Sequence, residues 1–231
     1  MSASEPLAPS IAEVQLVVMD MAGTTVQDRG EVPAAFRAAL ASHGVALTDD
    51  EIAQVRGASK REVIRGLLAD HRPDAPAAAA DEAYERFRAN LAERYRAGAQ
   101  AVPGVEDTVR WLRGRGIRVA LNTGFDRDIT GLLLDALGWA EGMVDAVVCG
   151  DDVRAGRPAP YLIFRAMEVT GATSVHRVMN LGDTELDLLA GWNAGVAWNV
   201  GVLSGAHPRE RLERAPHTHL IASVASLPDL W

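Results

Sequence analysis

The chain of 231 residues has little thiol and almost no lysine. It contains one cysteine, Cys149, and one lysine, Lys60, among 23 lysines and arginines. A single thiol excludes an internal disulfide and is typical of a reducing compartment. The net charge of −8 argues against nucleic acid as the main partner, because phosphate backbones are bound through Lys and Arg. A small anionic substrate is still allowed, since a local cluster of arginines matters more than the total.

Long apolar runs are also missing. None approaches the roughly 20 residues that span a bilayer. The first residues, MSASEPLAPSIAE, have neither the basic region nor the apolar region of a secretory signal peptide. We therefore expect a cytoplasmic protein with no membrane partner and no nucleic-acid partner, and a homodimer is left open.

Short apolar runs with strand character are present, and helical patterns separate most of them. Near-continuous apolar strands of this kind indicate an α/β fold, with a parallel sheet covered by helices on both faces. Ligands of such sheets bind beyond the carboxyl ends of the strands. The predicted strands are Val14–Met19, Ile117–Asn122, Ala146–Cys149, Arg177–Leu181, Val196–Val200 and Leu220–Ala222.

The interval between the first two predicted strands is almost a hundred residues long, far more than one crossover helix requires. Its pattern predicts four helices, at 32–43, 49–56, 59–68 and 77–96. We therefore expect a helical cap, residues 29–100, inserted into an α/β core made of residues 1–28 and 101–231.

Polar residues follow three of the predicted strands. Asp20 ends the first, in VMDMAGTT, and Asp183 follows the fourth, in LGDTELD. Thr123 and Gly124 follow the second, where a strand meets a helix N-terminus and backbone N–H groups bind anions. Since the carboxyl ends of parallel strands share one edge of the sheet, these residues are candidates for one site.

Two further residues belong with this set. Asp187 lies four residues after Asp183, on the same face of the predicted helix. Carboxylates placed this way, near Asp20, repel each other without a cation, and a few hard oxygen ligands suit Mg²⁺. Arg157 precedes Pro158 in RAGRPAP, where the proline discourages a helix, and a cation held there suits a phosphate or a carboxylate.

Taken in order, these motifs resemble the haloacid dehalogenase superfamily over essentially the whole chain. The resemblance implies a Rossmann-like core and a nucleophile, Asp20, that takes up a phosphoryl group whose oxygens Thr123 and Arg157 hold. It also implies a Mg²⁺ site formed by Asp20, the Ala22 carbonyl, Asp183 and Asp187.

Ala22 stands where most members of that superfamily carry a second aspartate, which protonates the leaving group. Losing a general acid costs about 10²–10⁴-fold in rate. A carbanion leaving group removes that need when a lysine forms an imine with a neighbouring carbonyl and delocalises the charge. The one lysine, Lys60, stands in RGASKREV at the start of a predicted cap helix.

Lys60 lies where the phosphonatases carry their Schiff-base lysine, and the segments DMAGTTV, AGRPAP and GDTELDLLAGWNAG are similar to that family as well. The chain departs from it at Val63 and Phe125, where phosphonatases have a histidine and a tyrosine. The family's cysteine near the start of the cap is absent too. Without the histidine, water or Glu62 has to assist the proton transfers of an imine.

Arg56 replaces the family's methionine before the cap glycine, Gly57, and offers a cation for a more acidic substrate. We expect both residues to contact the substrate, together with Thr123, Gly124 and Arg157.

Three functions follow from these residues. The first is a Mg²⁺-dependent hydrolase that cleaves the C–P bond of phosphonoacetaldehyde or a related carbonyl phosphonate, through an aspartyl phosphate and a lysine imine. The second is a phosphatase acting on a small phosphate monoester. The third is a protein that binds a phosphorylated metabolite without turnover, which the intact set of candidate residues disfavours.

Overall fold

The computed structural model describes residues 11–231, so the predictions that fall on residues 1–10 lie outside it. Within the described residues, six parallel strands form one sheet in the order β3-β2-β1-β4-β5-β6. This confirms the α/β class with a parallel sheet. The strands are β1 Leu16–Asp20, β2 Arg118–Asn122, β3 Ala146–Val148, β4 Val178–Gly182, β5 Trp198–Val202 and β6 His219–Ile221.

Strand β1 lies at the centre of the sheet, and every one of its residues is buried. On one side Asp20 pairs with Asn122 of β2, and on the other Met19 pairs with Leu181 of β4. The carboxyl ends of the three strands are therefore level. Asp20 and the residues that follow β2 and β4 meet at one edge of the sheet.

Helices cover both faces, as apolar strands without a polar face require. Val17 and Met19 belong to one buried cluster, and Leu16 and Val18 belong to another on the opposite face. No helix within residues 11–231 is both long and apolar enough to cross a membrane. The helices that follow the cap are α5 Val105–Arg113, α6 Arg127–Leu137, α7 Tyr161–Thr170, α8 Glu185–Ala194 and α9 Arg209–Leu212.

The interval between β1 and β2 is helical, as the sequence predicts, and we call its first four helices the cap. The first and last helices of the cap pack together, and the rings of Phe36 and Phe87 have centroids 4.7 Å apart. The boundaries of the cap as a domain, at 28/29 and 100/101, stay predictions. The cap helices are α1 Glu31–Ala41, α2 Asp49–Val55, α3 Lys60–His71 and α4 Ala79–Gly98.

The loop between α2 and α3 is a part of the cap that contacts the core. Gly57 has a φ of +85°, and a Cβ there would lie 2.4 Å from the Thr184 hydroxyl oxygen. A Cβ on Gly124 would lie 2.6 Å from the Ala58 carbonyl oxygen. Because both positions lack a side chain, the loop can lie against the sheet edge, where the Lys60 backbone N–H donates to the Gly124 carbonyl at 3.4 Å. Helix α3 therefore begins beside the carboxyl ends of the strands.

Candidate active site

Asp20 is buried at the end of β1 beside an equally buried arginine. Arg157 Nη2 lies 2.7 Å from Asp20 Oδ1, and Arg157 Nε lies 2.9 Å from Asp187 Oδ1. Burial raises the pKa of Asp20 to about 6, even though the charge of Arg157 opposes that rise. Full ionisation of this carboxylate at neutral pH therefore benefits from further positive charge nearby.

Asp183 follows β4 and is enclosed on all sides. The Thr24 hydroxyl donates to its Oδ1 at 2.9 Å, and the Ala206 backbone N–H donates to its Oδ2 at 2.6 Å. A Cβ on Gly23 or Gly205 would approach the same carboxylate to 2.2 Å or 2.1 Å, so two glycines make room for it. Burial, followed by the negative charge of Asp20, raises the pKa of Asp183 to about 8.

Three buried carboxylates thus gather at this edge of the sheet. One oxygen each from Asp20, Asp183 and Asp187 lies within 4.8 Å of the others. Buried anions this close are costly unless a cation compensates them, and an all-oxygen donor set fits a hard divalent ion. The donor chemistry therefore fits a metal site.

Asp187 differs from the other two acids because it caps the start of α8. Its Oδ2 accepts from the Thr184 backbone N–H at 3.0 Å and from the Thr184 hydroxyl at 2.5 Å. Its Oδ1 faces Arg157. Asp187 is therefore placed to fix Arg157 and the start of α8 behind the Asp20–Asp183 pair.

Thr123 and Arg157 provide hydrogen-bond donors in the same cavity wall as Asp20. The Thr123 hydroxyl oxygen accepts from the Phe125 backbone N–H at 3.1 Å, which leaves its own proton to donate. Arg157 also donates to the carbonyl of Gly57 in the cap, at 3.2 Å. The arginine that contacts the nucleophile candidate therefore also contacts the cap.

Lys60 is the first residue of α3, and it is 7% exposed. Its Nζ donates to the Ala58 carbonyl at 2.9 Å and lies 5.3 Å from the centroid of the Phe125 ring. Burial lowers the pKa of Lys60 to about 8, against the opposing effect of Asp20. At pH 7 about a tenth of such amines are neutral and nucleophilic, far more than for an ordinary lysine.

The predicted residues share one small enclosed cavity of about 20 Å³. A cavity of that size holds about one water molecule. Eight of the predicted site residues line it, and they come from both the core and the cap: Asp20, Ala22, Arg56, Gly57, Lys60, Thr123, Gly124 and Arg157. Asp183 and Asp187 are not part of the cavity lining, but they lie next to it because they cluster with Asp20.

The structure also shows a residue that the sequence analysis missed. Asp28 lines the same cavity, and its carboxylate forms a salt bridge with Arg56. An acid in a linker carries no periodic or motif signal, so nothing in the sequence singled it out. Glu62, the suggested proton carrier, is exposed and lines a different cavity at the edge of the cap, so the structure does not place it beside the Lys60 amine.

Comparisons with known proteins identify the family of this chain. The family described as haloacid dehalogenase-like hydrolase matches residues 14–195. Phosphonoacetaldehyde hydrolase of Paraburkholderia xenovorans is 31% identical over 202 residues, which cover 82% of this chain and 74% of that protein. The enzyme of the same name from Bacillus cereus strain AH187 is 30% identical over 207 residues, 84% of this chain and 77% of that protein.

A solved structure has the same fold. The phosphonoacetaldehyde hydrolase like protein from Oleispira antarctica superposes with a TM-score of 0.84 at 23% identity, covering 100% of this chain and 96% of that one. The chain belongs to the haloacid dehalogenase-like hydrolases and is an enzyme of that family. Within the family it is similar to the phosphonoacetaldehyde hydrolases, as the resemblance of its motifs implied.

Proposed function

We propose that this hydrolase cleaves the C–P bond of phosphonoacetaldehyde or of a closely related small carbonyl phosphonate. One observation carries the proposal: the amine of Lys60 and the carboxylate of Asp20 lie in the wall of the same enclosed cavity. A phosphonate with a carbonyl one carbon from phosphorus presents both of its reactive centres across such a short span. The relatives named phosphonoacetaldehyde hydrolase support the same substrate class.

The proposed reaction begins at the cap. The neutral Lys60 amine attacks the carbonyl carbon, and the adduct takes up one proton from solvent and loses water, which gives a protonated imine. The Asp20 carboxylate then attacks phosphorus. A P–O bond forms while the C–P bond breaks, and the electron pair of that bond moves into the imine to give an enamine. Protonation at carbon and addition of water release the aldehyde from Lys60, and a second water releases phosphate from Asp20.

This chemistry accounts for Ala22. The leaving carbon is stabilised as an enamine, so no alkoxide waits for a proton at the moment that the bond breaks. An acid at position 22 has nothing to protonate in that step. A methyl group there also avoids adding another carboxylate to a cluster that already holds Asp20, Asp183 and Asp187.

The remaining residues bind the phosphoryl group. Thr123 and Arg157 donate to its oxygens, next to the backbone of Gly124. Asp20, the Ala22 carbonyl and Asp183 would hold Mg²⁺, and Asp187 steadies Arg157. When bound, Mg²⁺ would offset the negative charge of the carboxylates and of the phosphoryl oxygens.

Entry of the substrate requires the cap and the core to separate. The enclosed cavity of about 20 Å³ is far smaller than any carbonyl phosphonate. The contacts that have to break include those of the Gly57 carbonyl with Arg157 and of the Lys60 N–H with Gly124. Both are single hydrogen bonds, each of which typically contributes about 1 kcal/mol.

A phosphate monoester is the second candidate substrate, and one observation favours it. The ring of Phe125 lies 5.3 Å from the Lys60 Nζ, and Val63 follows Lys60 by three residues on α3; phosphonatases have a tyrosine and a histidine at these two positions. Neither replacement can carry a proton for imine chemistry. In a phosphatase of this kind Lys60 would serve as a buried cation, and arginine could replace it.

The direct test is a substrate panel. Purified enzyme with Mg²⁺ is given phosphonoacetaldehyde and, separately, small phosphate monoesters such as phosphoglycolate. We expect phosphate and acetaldehyde in equal amounts from the phosphonate, at a rate well above that for any ester. Hydrolysis of esters without cleavage of the phosphonate would contradict the proposal and establish the second candidate.

A further inference from the structure

We propose that Asp28 sets the charge selectivity of the cavity: by pairing with Arg56, it disfavours carbonyl phosphonates that carry a carboxylate and selects those whose carbonyl end is uncharged. The inference rests on the proposed function for the identity of the substrates. It rests on the structure for the pair itself.

The pair is built into the cavity wall. Asp28 comes from the segment between β1 and α1, and Arg56 comes from the end of α2. The Asp28 side chain is 3% exposed and the Arg56 side chain 16% exposed. The second carboxylate oxygen of Asp28 accepts from the Gly30 backbone N–H at 3.0 Å, so the acid is held from two sides.

Among the residues that line this cavity, each arginine already has an acidic partner. Arg157 faces Asp20 and Asp187, and Arg56 faces Asp28. Lys60 is the remaining cation of the wall, and its nitrogen becomes part of the imine. A carboxylate next to the substrate carbonyl therefore finds no free cation there, and it finds the negative charge of Asp28 close by.

In this proposal Arg56 does not bind an acidic substrate. An arginine that already pairs with a buried carboxylate offers little to a second one, because like charges at close range oppose binding. The proposal also differs from a purely mechanical tie between linker and cap. Loss of such a tie would change the stability of the protein and weaken the binding of all substrates alike.

The test compares two substrates in wild type and in Asp28→Asn. Phosphonoacetaldehyde has an uncharged carbonyl end, and 3-phosphonopyruvate carries a carboxylate beside its carbonyl. We expect wild type to prefer the aldehyde in kcat/KM, and Asp28→Asn, which frees Arg56, to shift that preference toward the keto acid by roughly tenfold or more. An unchanged ratio would overturn the proposal.

The double variant Asp28→Asn/Arg56→Gln is the matched control. It removes both charges and leaves polar side chains at the two positions, with Asn the same size as Asp and Gln shorter than Arg. Its preference should return toward that of wild type, because the gain for the keto acid depends on the freed Arg56. If the double variant keeps the gain, the effect comes from space or flexibility, and the proposal is wrong.

A binding measurement keeps this test separate from that of the proposed function. Phosphonoacetate and ethylphosphonate, which cannot form an imine, are titrated calorimetrically in the presence of Mg²⁺. Asp28→Asn should improve the affinity for phosphonoacetate relative to ethylphosphonate by roughly tenfold, even if no phosphonate is cleaved. In that outcome the C–P proposal fails while the selectivity of the pair stands.

If a melting curve shows that Asp28→Asn does not fold, Arg56→Gln tests the same proposal. This variant leaves the Asp28 carboxylate in the cavity wall without its cationic partner. The binding of phosphonoacetate should therefore weaken more than that of ethylphosphonate. Equal weakening of both ligands would overturn the proposal.

Discussion

The two halves of the site are held in different ways. In the core, Arg157 pairs with both Asp20 and Asp187, Asp183 accepts two hydrogen bonds, and all of these residues are buried. In the cap, the Lys60 amine has one carbonyl partner and an aromatic ring beside it. In the proposed reaction these core groups bind a charged phosphoryl group. The cap amine is poorly solvated and weakly paired, which favours its neutral form.

This difference separates two tasks. In the proposed reaction, attack on phosphorus and release of phosphate need only the core groups, whatever the leaving group is. The bond that breaks is decided by what the cap supplies to the other side of the phosphorus. Core variants should therefore lower activity toward every substrate, whereas cap variants should change which substrate is cleaved.

The largest expected effect is in the core. Asp20→Asn removes the nucleophile, and no neighbouring group can replace it, so phosphate release from every substrate should fall by roughly 10⁴-fold or more. The assay is phosphate release, and a melting curve provides the control for folding. A folded variant that retains several per cent of the activity would show that Asp20 is not the nucleophile.

Metal removal comes next and also acts on the core. Exhaustive chelation with EDTA should lower turnover by about 10²-fold or more, and added Mg²⁺ should restore it. Asp183→Ala should lower turnover similarly, with no recovery at ordinary Mg²⁺ concentrations. Full activity in metal-free enzyme would remove the role that we give to the three carboxylates.

The dependence of kcat/KM on pH distinguishes the cap half of the site from the core half, and the expected effect is smaller than that of metal removal. Because the pKa of Lys60 is lowered to about 8, its amine is neutral above that pH and protonated below it. For the carbonyl phosphonate, kcat/KM should rise roughly tenfold per pH unit below about 8 and then level off. Ester hydrolysis needs no free amine. A flat profile for the phosphonate between pH 7 and pH 9 would contradict the role of the amine.

The smallest expected effect concerns Ala22. Ala22→Asp should bring no gain toward the carbonyl phosphonate, and at most a modest loss, because it adds a carboxylate near the acidic cluster. Kinetics with phosphonoacetaldehyde and with one monoester, measured side by side, make the comparison. A faster reaction with the phosphonate would mean that its leaving group does need an acid.

Most of the core half could be predicted from the sequence. Apolar strands placed between helices predict a parallel sheet, and such a sheet brings its carboxyl ends together, so Asp20, Thr123 and Asp183 were expected at one edge. The partner of Asp187 was missed, although Thr184 and Asp187 have the spacing of a helix capping box, in which each side chain bonds the other residue's backbone.

The cap half was harder to predict. The helices follow from their periodicity, and Lys60 stood out because it is the one lysine of the chain. The pairing of Asp28 with Arg56 depends on how the α2–α3 loop docks against the linker. That docking leaves no periodic pattern in either segment, and it is decided by close contacts such as those at Gly57 and Gly124.

The central claim is that Lys60 forms an imine with the substrate, and reductive trapping tests it most directly. Enzyme is mixed with phosphonoacetaldehyde and borohydride, which reduces an imine to a stable secondary amine. Because Lys60 is the one lysine, peptide mass spectrometry has two amines to distinguish, that of Lys60 and the N-terminal one. We predict an adduct on the Lys60 peptide together with loss of activity, and neither in Lys60→Arg. An enzyme that cleaves the phosphonate with no adduct on Lys60, or a Lys60→Arg variant that remains active toward it, would contradict the account.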